Sequence, residues 1–172
     1  MHELKIPKSR VGCLVGTKGE MKRIVERSTN TKLRIHSEGD VEISGDSYGE
    51  YVCEKIVRAV GRGFNPHVAL NLISDNYSFE MLEIKDYSGT SKKKLMRLKS
   101  RLIGTKGKAR RVIEGLTGCH ISIYGKTVSI IGKLEELPVA FKAVKKILNG
   151  SNHGTVYAFI NSEMKSIKRK NH

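Results

Sequence analysis

The chain repeats itself. Leu14 to Glu26 reads LVGTKGEMKRIVE, and Leu102 to Glu114 reads LIGTKGKARRVIE, an offset of 88. Between 14–36 and 102–124, nine of 23 positions are identical, and many others keep their apolar or polar character. With a one-residue gap the match extends to Val41–Gly45 and Val128–Gly132. Solenoid units run about 20–50 residues, so this period is too long for one. In 172 residues only two copies fit. The repeat therefore predicts two domains of one kind, each about 70 residues long, joined by a connecting segment.

Each copy carries the same pattern of elements. Glu3–Ile6 and Met81–Ile84 suit short first strands. Ser9–Val15 and Lys93–Ile103 suit brief helices that end in an apolar pair just before GTKG. After GTKG, Met21, Ile24 and Val25 share a helical face, as do Val112, Ile113 and Leu116. Thr29-Asn30 and Thr117-Gly118 end those helices. Leu33 and Ile35, matched by Ile121 and Ile123, alternate with polar residues as a half-buried strand does. Val41–Ile43 and Thr127–Ile131 then complete a hairpin, and Tyr48–Gly61 and Leu134–Asn149 are closing helices. The class is α+β, with order β-α-GTKG-α-β-β-α twice over. Asn65-Pro66 starts a short helix in the linker, to about Ile73. Val156, Phe159, Ile160, Met164 and Ile167 predict a last helix that packs back on the domains, with a frayed basic tail from Lys168. The expected domains are 1–64 and 79–150, with a linker at 65–78 and the helix and tail at 151–172. A shared fold and a short linker predict a compact pseudo-symmetric pair.

A lone GxxG carries no weight in a chain with 17 glycines, and Gly115-Leu-Thr-Gly118 is a decoy at a helix end. Context gives GTKG its meaning. Gly16, Thr17, Lys18 and Gly19, like Gly104, Thr105, Lys106 and Gly107, lie between two helices and before a basic turn. Glycines permit a bend that a β-carbon blocks. They also let a phosphodiester approach the backbone. The next helix offers unpaired N–H groups and a partial positive charge at its N-terminus. Such a bend clamps a sugar-phosphate chain without reading bases.

The charge points the same way. The formal net charge is +15. Residues 1–86 carry 13 basic and 13 acidic side chains, and residues 87–172 carry 19 and 4. Ser91 to Arg111 holds Lys92, Lys93, Lys94, Arg97, Lys99, Arg101, Lys106, Lys108, Arg110 and Arg111, with no acid among them. An asymmetry of that size predicts a polyanionic partner. A membrane surface would want Trp, Phe or Leu opposite the charges; the leucines and isoleucines here are needed by a small core.

Other chemistries find no support. No apolar run of membrane length occurs, and the N-terminal residues lack a signal-peptide core. Cys13, Cys53 and Cys119 are odd in number and never spaced as CxxC, which suits a reducing cytosol rather than a disulfide framework or zinc finger. Gly125-Lys126-Thr127 mimics the end of a P-loop, but His120 stands where a glycine is required. The six histidines form no metal spacing, and no nucleophile or carboxylate pair is visible. No enzyme activity, metal, cofactor or small-molecule substrate is expected.

These residues resemble the KH domain, whose GXXG loop holds about four nucleotides of single-stranded RNA. With the hairpin after the loop, both copies resemble type I, giving two tandem type I KH domains. The resemblance implies a groove beside the loop. Arg101, Leu102 and Ile103 form one wall and Ile121, Ser122 and Ile123 the other, and Lys99 is a further RNA-binding candidate. Lys108, Arg110 and Arg111 follow the second loop, and Lys22 and Arg23 the first. The whole chain is similar to the archaeal branch of the "partner of Nob" family of small-ribosomal-subunit maturation factors. The residues that carry this are AVGRGF at Ala59–Phe64 with Pro66, RLIGTKG at Arg101–Gly107, Ile123–Val128 with Ile130–Gly132, and GSNHG at Gly150–Gly154 with Val156-Tyr157. That likeness implies binding near the 3′ end of small-subunit rRNA, with the second domain as main grip, and a protein partner, the Nob endonuclease. A KH adaptor for an RNA-degrading complex, or a general RNA chaperone, is the alternative. A nuclease is disfavoured by the few carboxylates in the basic half.

The copies differ beside their loops. Around the first, Lys18, Lys22, Arg23 and Arg27 are diluted by Glu20 and Glu26. The second has Lys108 where the first has Glu20. Charge alone therefore predicts the second copy as the main RNA site.

Overall fold

A computed structural model describes residues 1–172. They form two units, Met1–Tyr77 and Ser78–His172. The first runs β1 (His2–Lys5), α1 (Lys8–Val15), α2 (Glu20–Thr29), β2 (Thr31–Ile35), β3 (Asp40–Gly45) and α3 (Ser47–Gly61). Its sheet has the order β1-β3-β2. Both pairings are antiparallel, with Leu4 opposite Val41 and Leu33 opposite Ile43. Alternation works as the residues predict: Leu33, Val41 and Ile43 are buried while Lys32 and Arg34 are exposed. Leu14, Val25, Ile56 and Val57 complete the core.

The residues after α3 belong to this unit. Asn65 caps α4 (Pro66–Ala69) by accepting from the His67 amide at 2.9 Å. A 3₁₀ turn, Leu70–Ile73, follows. Both pack on α3, with Ala69 and Leu72 buried. The Gly-Arg-Gly-Phe run is a helix stop. Gly63 adopts φ 100°. The Phe64 amide donates to the Ala59 carbonyl at 3.2 Å and the Gly63 amide to Val60 at 3.1 Å, a Schellman closure. Phe64 itself is buried.

The second unit repeats the plan: β4 (Tyr77–Glu83), α5 (Lys85–Ser88), α6 (Lys92–Ile103), α7 (Lys108–Thr117), β5 (His120–Tyr124), β6 (Thr127–Lys133) and α8 (Leu137–Leu148). The sheet order is β4-β6-β5, again with antiparallel β5 and β6. Three boundaries differ from expectation. β4 starts four residues earlier, at Tyr77, and the extra turn α5 separates it from α6. α8 starts at Leu137 because Pro138 suits the first helical turn. The tail is helical to Lys170, in α9 (His153–Lys170).

α9 is part of the core. Val156 and Ile160 are buried, and Phe159, Met164 and Ile167 pack on the same cluster as Leu98, Ile113 and Val144. The junction before α9 explains the Gly-Ser-Asn run. Gly150 (φ 100°) and Ser151 close α8, their amides donating to Ile147 and Lys146 carbonyls at 3.1 and 2.9 Å. Asn152 caps α9, accepting from Thr155 at 2.8 Å. No helix is long and apolar enough to cross a membrane.

Candidate nucleic-acid interface

The two GTKG bends have one conformation. Gly16 and Gly104 sit at φ/ψ of 74°/176° and 76°/173°. Only glycine is at ease in that region. A β-carbon on Gly104 would lie 2.5 Å from the Ala109 nitrogen, and one on Gly16 2.7 Å from the Met21 β-carbon. The first glycine of each bend thus lets the next helix close against the last. Lys18 and Lys106 stand in the left-handed region at φ 55° and 54°. Only one other non-glycine residue shares it, Asn30, a routine helix terminator. A left-handed lysine costs about 1–2 kcal/mol. That strain occurs at the same point of both copies, with each lysine exposed at the tip.

The bends use some of their own donors. Gly107 donates to Gly104 at 3.1 Å and Gly19 to Gly16 at 3.2 Å. The Lys108 and Glu20 amides turn back to the carbonyls of Thr105 and Thr17. Fewer amides face outward than the bare helix terminus implies. Thr105, Lys106 and Lys108 are exposed, so the accessible charge comes from side chains. Arg23 donates to the Lys18 carbonyl at 2.9 Å and steadies the first bend.

α6 presents its cations awkwardly for its own stability. Ser91 caps it, accepting from Lys94 at 3.1 Å, and Lys92, Lys93 and Lys94 fill its first turn. Positive charge at a helix N-terminus opposes the helix dipole, each such charge unfavourable by about 0.3–1 kcal/mol. Nothing in the fold gains from those lysines. A polyanion would.

The groove walls need correction. Leu102 and Ile121 are in the core, 2% and 5% exposed, and do not line a groove. Ile123 is half-buried against the same core. Arg101 is spent on structure: it donates to the Ile147 carbonyl at 2.6 Å and to Ser151 at 2.5 Å. Arg110 pairs with Glu114 at 3.2 Å. Ile103 is exposed, Lys99 and Ser122 are half-buried, and Arg111 is exposed. In the first unit Thr17, Lys18 and Arg23 are exposed and Lys22 is half-buried.

Glu26 and Glu114 do more than set local charge. Glu26 accepts from the Leu33 amide at 2.8 Å, and Glu114 from Ile121 at 2.9 Å. β2 and β5 are edge strands, and each carboxylate satisfies one free edge amide. Glu26 therefore does not distinguish the copies. Of the two acids beside the first loop, Glu20 alone has no counterpart.

Two units on the βααββα plan, each with a three-stranded sheet and a glycine bend between α1 and α2 or between α6 and α7, define a tandem type I KH protein. Residues 78–165 match the family described as "Eukaryotic type KH-domain (KH-domain type I)", and residues 1–59 match "KH domain". A KH domain-containing protein of Methanocaldococcus jannaschii, MJ0443, is 46% identical over 96% of this chain and 75% of its own length. The pre-rRNA-processing protein pno1 of Aspergillus fumigatus is 28% identical over 68% of this chain, which spans 47% of that protein. Dim2p of Pyrococcus horikoshii superposes with a TM-score of 0.86, 36% identity, and coverage of 94% and 98% of the two chains. A second structure from that organism, an a/eIF2alpha–aDim2p–rRNA complex, gives 0.87 and 37%, with 96% and 94% covered. The chain belongs to the family of two-KH-domain proteins that includes MJ0443 and Dim2p.

Proposed function

We propose that this protein binds unpaired RNA near the 3′ end of small-subunit rRNA during ribosome assembly, with the second KH domain as the main grip. The carrying observation is the second bend. Its strained Lys106 and its exposed Thr105 and Lys108 stand in a stretch of ten cations and no acids. The rRNA present with aDim2p in the Pyrococcus horikoshii complex supports RNA as ligand. Names of the fungal relatives support pre-rRNA processing as the setting.

The structure suggests how the grip works. Phosphates run over the bend and meet Lys106 and Lys108. Bases lie beside Ile103 and Lys99, toward the edge strand β5, whose remaining main-chain groups read their edges. Gly16, Thr17, Lys18 and Gly19, with Lys22 and Arg23, form a weaker second site or a packing platform. The protein acts by holding RNA and is not an enzyme. The Nob endonuclease is the partner that would cut RNA presented in this way, and the cytoplasm is the setting.

Sequencing RNA crosslinked to the protein in cells tests the address. Enrichment at the small-subunit rRNA 3′ end is expected, and an even spread over unrelated RNAs would refute it. Neutralising about four phosphates should give a log–log salt slope near −3 for single strands. Purified protein with RNA and magnesium should leave the RNA intact.

A further inference from the structure

We infer that the second domain holds a nucleotide pocket on the opposite flank of α6 from the strand-side groove. The inference rests on the reading that RNA crosses the second bend, and it lengthens the contact made there. At 100° per residue α6 has three sides. Leu95, Leu98 and Leu102 face the core. Lys99 and Ile103 lie on one flank, Arg97 and Arg101 on the other. The bonds from Arg101 to Ile147 and Ser151 fix that second flank toward the start of α9. There the backbone opens into a cavity of about 470 Å³, bounded by α6, the bend, the start of α7 and α9. Clefts that take small ligands span about 300–1,000 Å³.

Its chemistry suits a nucleotide. Arg97 and Lys108 line it and are exposed, and no carboxylate lines it to neutralise them. Ser100 and Thr105 add hydroxyls for phosphate or ribose. Tyr157 and Ala109 add an aromatic ring and an apolar floor for a base. Burial pushes the Tyr157 phenol above its ordinary value. The far wall is preorganised. The His153 Nε2 lies 2.8 Å from the Arg101 carbonyl. A carbonyl only accepts, so that nitrogen carries the proton. Thr105 and Lys108 border both the bend and the cavity, so a strand leaving the bend has a short path into it. In the first unit the short α4, not an eighteen-residue helix, follows the closing helix.

The test uses the full chain with an unpaired tetranucleotide and an unpaired octanucleotide of the same sequence. Tyr157→Ala should weaken octanucleotide binding about tenfold and leave the tetranucleotide unchanged, and Arg97→Glu, which also reverses one of the ten cations, should cost the octanucleotide about tenfold more than the tetranucleotide. Tyr157→Phe keeps the ring and should bind both like the parent chain. Thr105→Asp with Lys106→Asp should weaken both lengths. If the loop variant lowers both lengths while Arg97→Glu and Tyr157→Ala lower both equally or neither, the pocket is refuted and the loop reading stands. If the loop variant changes neither length, the loop reading fails first. AMP alone serves as the free-nucleotide probe. Saturable AMP binding lost in Arg97→Glu, without a length effect, would overturn the strand assignment.

Discussion

The two bends share a backbone to within a few degrees and differ in the charges and the helix set beside it. Gly16 and Gly104, Lys18 and Lys106, Gly19 and Gly107 have matching dihedral angles. Glu26 and Glu114 satisfy matching strand amides. Even the threonines behind them match: Thr29 and Thr117 donate to carbonyls four residues back at 2.8 and 2.7 Å. The differences are Glu20 against Lys108, the lysines ahead of the second bend, and α9. A conserved bend is thus a scaffold, and the charges and helix beside it decide how it is used.

The largest expected contrast comes from the tips. Replacing Thr105 and Lys106 by Asp should weaken RNA binding by at least about tenfold, because two phosphate contacts become repulsions. The same change at Thr17 and Lys18 should cost less than about threefold. Equal losses in a filter-binding titration would remove the distinction between the domains. Glu26→Gln and Glu114→Gln should each lower stability by about 1–2 kcal/mol in urea melts, since a charge-assisted bond to an edge amide is weakened. A large effect in only one domain would show that the carboxylates are not equivalent. Exchanging the distinguishing charge is subtler. Lys108→Glu should reduce affinity, and Glu20→Lys raise it, by about two- to fivefold at low salt. The salt dependence should flatten for the first and steepen for the second.

The smallest effect concerns the thiols. Cys53 and Cys119 are buried and Cys13 is exposed. Burial pushes Cys53 above its ordinary value and Cys119 up to about 11. One thiol per chain should therefore react with a thiol reagent at pH 8, and three after denaturation. Because the folded pKa is raised, the folded chain holds the proton that the unfolded chain releases. Stability should decline modestly from about pH 8.5 toward the folded Cys119 value near 11.

The repeat, both bends and most elements are plain in the residues, because glycine pairs, β-alternation and helical spacing act locally. What escaped is nonlocal. Leu102 and Ile121 carry the same apolar signature whether they line a groove or fill a core, and only packing decides. Arg101 looks like one cation among ten until its guanidinium meets the end of α8. The signal for the further pocket was nevertheless present: Arg97, Ser100, Arg101 and Gly104 recur at helical spacing. Their partners, His153 and Tyr157, lie some fifty residues away. The segment expected as a linker has the short helix that Asn65-Pro66 announces, and what the residues do not announce is the burial of Ala69 and Leu72 on α3, a tertiary contact.

α9 changes what counts as one folding unit. The repeat stops near Gly150, yet Val156 and Ile160 have no exposed surface and Arg101 bonds the carbonyl of Ser151. A fragment ending at Gly150 would open the hydrophobic interior and unfasten the helix that leads into the second bend. Anyone dissecting this protein at the boundary of its repeat would cut through a single cooperative body, and loss of RNA affinity in that fragment would mix unfolding with the loss of the α9 contacts.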